Sequence, residues 1–151
     1  MSVIKAKNIL ETSIEKDPSG NLLISSTKIK LRGSEEIEFL LRFKKEIDTV
    51  STFKNPAIPE ILHFLQDEEH INIKTKYAED ISIVDYVNSN DLELECKLDL
   101  FLQLAEVLLY VHKQGLIHRA ITSDSVRVSI KNGASIVLHN TGMYYLYQAL
   151  K

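Results

Sequence analysis

The stretch LAEVLLYVHKQGLIHRA, residues 104–120, decides the fold that we expect of this chain. Apolar residues recur at helical spacing from Leu94 onward, and Gly115 is a residue type that commonly ends a helix in the left-handed conformation. The sequence therefore predicts a long amphipathic helix that ends near Gly115 and runs into a polar loop beginning LIHRA. The predicted apolar stripe of this helix consists of Leu94, Leu98, Phe101, Ala105, Leu108 and His112.

The segments before and after this helix alternate between strand and helix patterns. DPSGN is a turn signal followed by the alternating run NLLISSTKIKLRG, which predicts a hairpin leading into a strand. Ser34 is expected to be the N-cap of an amphipathic helix over residues 35–52. Two short strands, ILHFLQD and HINIKTKYA, and a short helix or turn, ISIVDYVNSN, come next. A second hairpin is expected around Asn132-Gly133, so the pattern predicts an α+β chain.

Composition excludes several classes of function. The chain has 151 residues, 26% of them charged, and a formal net charge of -3, which does not favour nucleic acid as a partner. The single cysteine, Cys96, cannot form an internal disulfide, and no Cys/His spacing suggests a metal site. Neither a secretory signal nor an apolar run long enough to span a bilayer is visible. We therefore expect a cytoplasmic protein without membrane insertion.

The ordered series of segments resembles a protein kinase from its third strand to its metal-binding loop. TKIK stands where the family has V-A-I-K, FKKEI resembles its helix C, and NPAI resembles the turn that follows. The resemblance implies an antiparallel sheet with helix C as a kinase-like N-lobe in residues 1–78. It implies a partial C-lobe in residues 79–151, with helix E, degenerate catalytic and metal loops and a β-hairpin, and with the remaining C-lobe helices missing.

The resemblance also implies a set of nucleotide-binding remnants. Lys30 would be the phosphate-contacting lysine and Glu46 its partner on helix C. Thr75 would stand at the gatekeeper position, and Tyr77-Ala78 in the hinge.

The loops that would carry phosphoryl transfer depart from the family. In the family loop H-R-D-x-x-x-x-N the aspartate orients the substrate hydroxyl and the asparagine binds a metal ion. This chain has Ala120 for that aspartate, Thr122 for the loop lysine and Ser125 for that asparagine, and Asn140 replaces the aspartate of D-F-G. The only glycine before Lys30 is Gly20, so the glycine-rich loop is missing as well. From these losses we expect no catalysis and no bound metal ion or cofactor. Binding of ATP is the one possibility that the resemblance leaves open.

The expected function is an inactive kinase-like module, a pseudokinase, that acts as a protein–protein interaction scaffold. Its partners would be other protein subunits or domains of a larger protein or complex, because the missing C-lobe helices would leave an apolar face uncovered. Candidate interface residues follow the metal loop in the aromatic run Met143, Tyr144, Tyr145 and Tyr147. HRAITSDSV and this run also resemble the kinase-like N-terminal region of TBC-domain-containing kinase-like proteins, which implies an endosome-linked scaffold with a Rab-regulating domain.

Two alternatives stay open at this point. The first is a divergent active kinase or nucleotide-binding regulator that uses Lys30, Glu46 and Asp124 in an unconventional way. The second is an unrelated small α+β binding domain whose elements merely occur in a similar order.

Overall fold

A computed structural model of the chain describes residues 10–131 and 133–151, and their elements form two antiparallel sheets with four helices. The strands of the first sheet run in the order β1-β2-β4-β3 and those of the second in the order β5-β6-β7. The predicted α+β class is therefore confirmed. In chain order the elements are β1 (Leu10–Lys16), β2 (Leu23–Lys30), α1 (Ile37–Val50), β3 (Ile61–Gln66), β4 (His70–Lys76), β5 (Ile81–Ser82), α2 (Ile83–Ser89), α3 (Leu94–Lys113), β6 (Val126–Ser129), β7 (Ser135–Leu138) and α4 (Tyr144–Ala149).

Both predicted hairpins form. In the first, the Leu22 N–H donates to the Asp17 carboxylate over 2.9 Å and Gly20 takes a φ of 75°, so an aspartate and a glycine together close the turn between β1 and β2. In the second, β6 and β7 pair antiparallel from Val126 opposite Leu138 to Ser129 opposite Ser135. Asn132, on which the predicted turn was based, lies outside the described residues.

The start of α1 differs from the prediction. The helix begins at Ile37 and not at residue 35, and its N-cap is Glu36, so the assignment of Ser34 as the cap is wrong. The reason is that the Glu35 carboxylate accepts the backbone N–H groups of Arg32 and Gly33, over 2.6 and 2.8 Å. These bonds fix the loop before the helix and delay its first turn.

Helix α1 joins the two hydrophobic clusters of the molecule. Phe43 and Ile47 pack with the inner face of the four-stranded sheet, while Val50 belongs to the cluster formed with α3, β6 and β7. Helix α4 packs on the same side of α1, where Leu146 is fully buried. Helix α1 therefore packs against both sheets, and it lies beside the space between them.

Helix α3 buries a different face from the predicted stripe. Leu100, Val107 and Val111 are its buried residues, whereas Leu94, Leu98 and Phe101 are 70%, 57% and 66% exposed. The helix carries apolar residues on more than one face, and the second sheet covers only one of them. Within the described residues, no helix combines the length and the apolarity that crossing a membrane requires.

Candidate functional site

A small cleft lies between the four-stranded sheet and the end of β7. Its cavity has a volume of about 150 Å³. The odd-numbered residues of β2 face it, because successive side chains of a strand point to opposite faces. The polar residues that line it are Ser25, Thr27, Thr75, His139, Asn140 and Thr141.

An ion pair joins α1, at the residue before the cleft-lining Ile47, to the loop after α3. Arg119 Nη1 lies 3.1 Å from Glu46 Oε1, and the Glu46 side chain is only 13% exposed. Its other oxygen, Oε2, is buried and has no hydrogen-bond partner among the described residues. Burial raises the pKa of Glu46, and the hydrogen bond and positive charge of Arg119 offset only part of that rise. The Arg119 guanidinium therefore pairs with a carboxylate whose charge would otherwise be buried at a large cost in free energy.

Arg119 is held from a second side by aromatic rings. Its guanidinium carbon lies 5.6 Å from the ring centre of Tyr144 and 5.4 Å from that of Tyr145. Both distances are within the range of cation–π attraction. The backbone at Arg119 has a φ of 56°, which an arginine adopts at a cost that the ion pair and the two ring contacts help to offset.

Lys30 and Glu46 are not brought together. Lys30 is exposed and ends β2 next to Ile29, which is fully buried against α1. Strand alternation thus turns Lys30 to the outer face of the sheet, and the position that faces the cleft on the same strand is Thr27. The predicted pairing is corrected accordingly: Arg119 occupies the place beside Glu46 that the sequence assigned to Lys30.

The loop after α3 is held by its own histidine. His118 is buried, its Nε2–H donates to the His139 carbonyl over 2.7 Å, and its Nδ1 accepts the Ala120 N–H over 3.1 Å. The ring is neutral in this arrangement because Nδ1 accepts a hydrogen bond, and burial lowers the pKa of His118, although the bond to the carbonyl opposes this. His118 therefore supports the loop, and the methyl group of Ala120 offers no proton acceptor.

The two positions that would bind metal ions in a kinase do not fit that role here. Ser125 is fully buried, and its hydroxyl already accepts the Thr122 N–H and donates to the Thr122 carbonyl. Asn140 carries a neutral amide at a φ of 64°, where the family has a carboxylate. Across residues 10–131 and 133–151, no three His, Cys, Asp or Glu side chains are grouped to hold a metal ion.

The segment that follows Asn140 is pressed against α1. A Cβ atom at Gly142 would lie 2.9 Å from Val50 Cγ2, and the Gly142 φ of 79° already favours glycine. Thr141 beside it is buried, with a hydroxyl that has no hydrogen-bond partner in the described structure. The close approach of Gly142 to α1 therefore fixes the position of the backbone just before the aromatic run, which begins at Met143.

The aromatic run belongs to the chain's own core. Met143, Tyr145 and Tyr147 pack against the cluster of α1 and the four-stranded sheet, and burial raises the pKa of Tyr147 to about 12. Tyr144 stands edge-on to Tyr145 at 5.2 Å. The four side chains of the run are half-buried, so part of their surface is committed to the chain's own core, and the predicted interface stays a prediction.

The residues predicted for the gatekeeper and hinge lie at the end of β4 and just after it. Thr75 lines the cleft from β4, and the Tyr77 N–H donates to the Leu23 carbonyl over 3.0 Å as the chain leaves the sheet. Ala78, which follows, is half-buried.

One cluster at the cleft was missed from the sequence. The buried Asp80 carboxylate accepts hydrogen bonds from His139 Nε2, over 2.6 Å, and from Arg127 Nε. Burial alone would raise the pKa of Asp80, but the bonds and charges of His139 and Arg127 outweigh burial and lower it. Arg127 and His139 lie 47 and 59 positions after Asp80, so no local motif reveals the cluster.

Comparison with known proteins agrees with this geometry. The family model of protein tyrosine and serine/threonine kinases matches residues 13–146. The serine/threonine-protein kinase cds1 of Schizosaccharomyces pombe is 29% identical over 131 residues, which are 81% of this chain and 28% of that protein. The serine/threonine-protein kinase pkn1 of Chlamydia caviae is 34% identical over 97 residues, 61% of this chain and 16% of that protein. The chain thus spans less than a third of the length of these relatives.

Solved structures show the same fold. The crystal structure of the Mycobacterium tuberculosis PknI kinase domain superposes with a TM-score of 0.73 at 20% identity, covering 89% of this chain and 55% of that one. The likeness confirms the predicted kinase-like sheet with its helices. It argues against an unrelated α+β domain.

The expectation that the chain is not an enzyme is wrong by these comparisons. The relatives reported above are named serine/threonine-protein kinases, and these names give no support to a non-enzyme. The error has a physical reason: loss of a general base lowers a rate by on the order of 10²–10⁴-fold and does not by itself define a non-enzyme. The chain belongs to the protein tyrosine and serine/threonine kinase family.

Proposed function

We propose that this chain forms the nucleotide cleft of a divergent serine/threonine-type kinase. The observation that carries the proposal is the largely buried Glu46 on α1 with Arg119 as its cation, next in sequence to Ile47, which lines the cleft. The names of the curated relatives support the activity, and the fold supports the location of the site.

Arg119 is the residue that we propose to meet the nucleotide phosphates. No lysine or arginine is among the described residues that line the cavity, so the charge of the phosphates has to be met at its edge. A guanidinium keeps its charge at all physiological pH values and binds phosphate oxygens in a bidentate fork. A bound polyphosphate would share or replace the contact that Arg119 now makes with Glu46.

The proposed chemistry relies on positioning and charge. Phosphoryl transfer passes through a loose transition state, in which holding and neutralising the phosphoryl oxygens matters more than removing the proton of the acceptor. Because Ala120 accepts no proton, we expect a slow transfer. No step is assigned to a metal ion, since Ser125 and Asn140 do not fit one.

The first experiment is a thermal shift of the full chain with ATP and without added metal. At a ligand concentration of about 100 Kd, selective binding to the folded state contributes about 2.7 kcal/mol, or roughly 5–10 °C for a chain of this size. We expect Arg119→Ala to lose most of the shift. Lys30→Ala, which removes an exposed cation on the outer face of the sheet, is the matched control and should keep it.

The second experiment follows transfer of the label from γ-labelled ATP to a mixed protein substrate. Slow transfer that Arg119→Ala removes and Lys30→Ala retains is the expected result. Absence of any thermal shift at millimolar ATP, together with absence of transfer, contradicts the proposal.

A second function is favoured by the exposed face of α3. We propose that Leu94, Leu98 and Phe101 contact other protein subunits or domains, because exposed apolar patches of this kind mark interaction sites. Cys96 is exposed on this helix, so it can carry a photo-crosslinker. The control places the same crosslinker at Thr12→Cys in a Cys96→Ser background. Adducts that form from Cys96 and not from this control position would support the contact. Equal adducts from both positions would contradict it.

Other predictions made from the sequence remain predictions. They are the cytoplasmic location, the boundary at residue 78 and the likeness to TBC-domain-containing kinase-like proteins. Sequencing of the natural transcript tests the last of these, since it predicts a Rab-regulating domain in the same protein.

A further inference from the structure

We propose that His139 is a phosphoryl acceptor, whose Nδ1 atom takes the γ-phosphoryl group of a nucleoside triphosphate bound in the cleft. The proposal rests on the function proposed above, because it needs a nucleotide at this site. His139 lines the cleft, and its side chain is 32% exposed. Among the described residues that line the cleft, it is the only histidine.

The contacts of the His139 ring leave one nitrogen available for chemistry. Its Nε2 atom lies 2.6 Å from Asp80 Oδ2. A carboxylate only accepts hydrogen bonds, so Nε2 carries the hydrogen and donates it. In the neutral ring the lone pair is then on Nδ1, which has no hydrogen-bond partner in the described part of the chain. Histidine is one of the side chains that form covalent intermediates through such a lone pair.

The ring is fixed from its buried side and through its backbone. The Asp80 side chain is only 5% exposed and also accepts a hydrogen bond from Arg127 Nε. The His139 N–H donates to the Ser125 carbonyl over 2.8 Å, and the His139 carbonyl accepts the His118 Nε2–H over 2.7 Å. The hydrogen bond made by one ring nitrogen sets the state of the other. Asp80 is therefore a positioning residue that keeps Nδ1 as the reactive nitrogen.

A histidine acceptor removes the need for the missing general base. A hydroxyl acceptor has to lose its proton, and Ala120 offers no group that could receive it. A neutral imidazole attacks with its lone pair, so no proton has to move. The Nδ1–P bond forms while the bond from the γ-phosphorus to its bridging oxygen breaks, and that electron pair leaves with the nucleoside diphosphate. The positive charge that develops on the ring lies beside the Asp80 carboxylate.

A second observation points to a phosphoryl group at this place. Thr141, two residues after His139, lines the same cleft and is only 6% exposed. Its hydroxyl has no hydrogen-bond partner in the described structure. A buried hydroxyl without a partner is costly, and an anionic phosphoryl oxygen is a strong acceptor for it. Arg119, which we propose to meet the phosphates, directly follows His118, whose ring is bonded to the His139 carbonyl.

The test incubates the full chain with γ-labelled ATP and analyses the label on the chain itself. We expect label that survives alkali and is lost in acid, because the phosphorus–nitrogen bond of phosphohistidine is acid-labile. Chromatography after alkaline hydrolysis should identify phosphohistidine that carries the phosphate on Nδ1. His139→Asn should lower this label by at least about tenfold. His112→Asn, which removes an exposed histidine from α3, is the matched control and should keep the label within about twofold.

Two further variants separate the chemistry from packing. Thr141→Val keeps the shape of the side chain and removes the unpaired hydroxyl, so it should slow labelling at least about tenfold while the melting temperature stays equal or rises. Asp80→Asn should change the isomer as well as the amount, because Nε2 is no longer held by a carboxylate and can itself be phosphorylated. A structural role of Asp80 alone would lower the amount and leave the isomer unchanged.

The outcomes distinguish this proposal from the proposed function. If ATP gives the thermal shift that depends on Arg119 but the chain carries no phosphohistidine, the acceptor role of His139 is overturned and the nucleotide site stands. Label that persists in His139→Asn also overturns it. If neither the thermal shift nor any label is found, both proposals fall.

Discussion

Replacement of Gly142 by alanine measures how closely the segment after Asn140 packs on α1. The structure gives two separate penalties. A non-glycine residue in the left-handed region costs about 1–2 kcal/mol, and Gly142 has a φ of 79°. The new Cβ would lie 2.9 Å from Val50 Cγ2 and 3.5 Å from Ile47 Cδ1, and overpacking of this kind typically costs about 1–3 kcal/mol.

The net effect follows from these values. Alanine restricts the unfolded chain and thereby returns about 0.4–1 kcal/mol. We therefore expect Gly142→Ala to lower the free energy of unfolding by about 1–5 kcal/mol, and the melting temperature by roughly 2–18 °C. Urea unfolding followed by circular dichroism measures the first quantity and a thermal melt the second.

A second glycine separates the two penalties. Gly115 has a φ of 84°, but no atom lies within 4 Å of a Cβ built there. Gly115→Ala should therefore cost only the backbone part, about 0–1.5 kcal/mol. In a Val50→Ala background, Gly142→Ala should cost about 1 kcal/mol less than in the parent chain, because the obstructing methyl is gone. Equal costs at the two glycines, or strict additivity with Val50→Ala, would refute the packing argument.

Two predictions concern buried charge. Arg119→Ala should destabilise the chain by about 1–2 kcal/mol at pH 7, a value reduced because Arg119 is itself partly exposed. The folded-state pKa of Glu46 is already raised and would rise further without Arg119, so the loss of stability should shrink as the pH falls towards 5. Urea titrations at pH 7 and pH 5 test this, and an equal loss of stability at both pH values would contradict it. Asp80→Asn should cost about 1–3 kcal/mol through its lost bonds to His139 and Arg127. Because the folded-state pKa of Asp80 is lowered, its contribution is present above the ordinary value and lost only in acid, so thermal melts between pH 5 and 8 should show a steady deficit that the exposed Asp91→Asn lacks.

The order of elements could be predicted from the sequence because hydrophobic periodicity, turn residues and helix ends are local signals. The β1–β2 turn at Asp17 and Gly20 and the end of α3 near Gly115 are of this kind. Helix α1 shows the limit: Ser34 has the right residue type for a cap, but the Glu35 side chain binds the preceding backbone instead.

The candidate site was less predictable, since it depends on which face of a strand is turned inward. The motif TKIK drew attention to Lys30, yet a shift of one residue along a strand exchanges its two faces. The burial of Ile29 fixes the inward set and leaves Lys30 outside. Contacts such as that of Asp80 with His139, 59 positions apart, require the folded chain.

The short helix α4 also determines the order in which the cleft can come apart. It has six residues, too few to persist alone in water, and it packs on α1, which precedes it by about a hundred positions. Contacts between such distant segments form late in folding and release early in local opening. When α4 releases, Tyr145 leaves α1 and Arg119 loses the rings that hold its guanidinium. We therefore expect access to the cleft to follow local opening of α4, which hydrogen exchange of the α4 amide protons would measure.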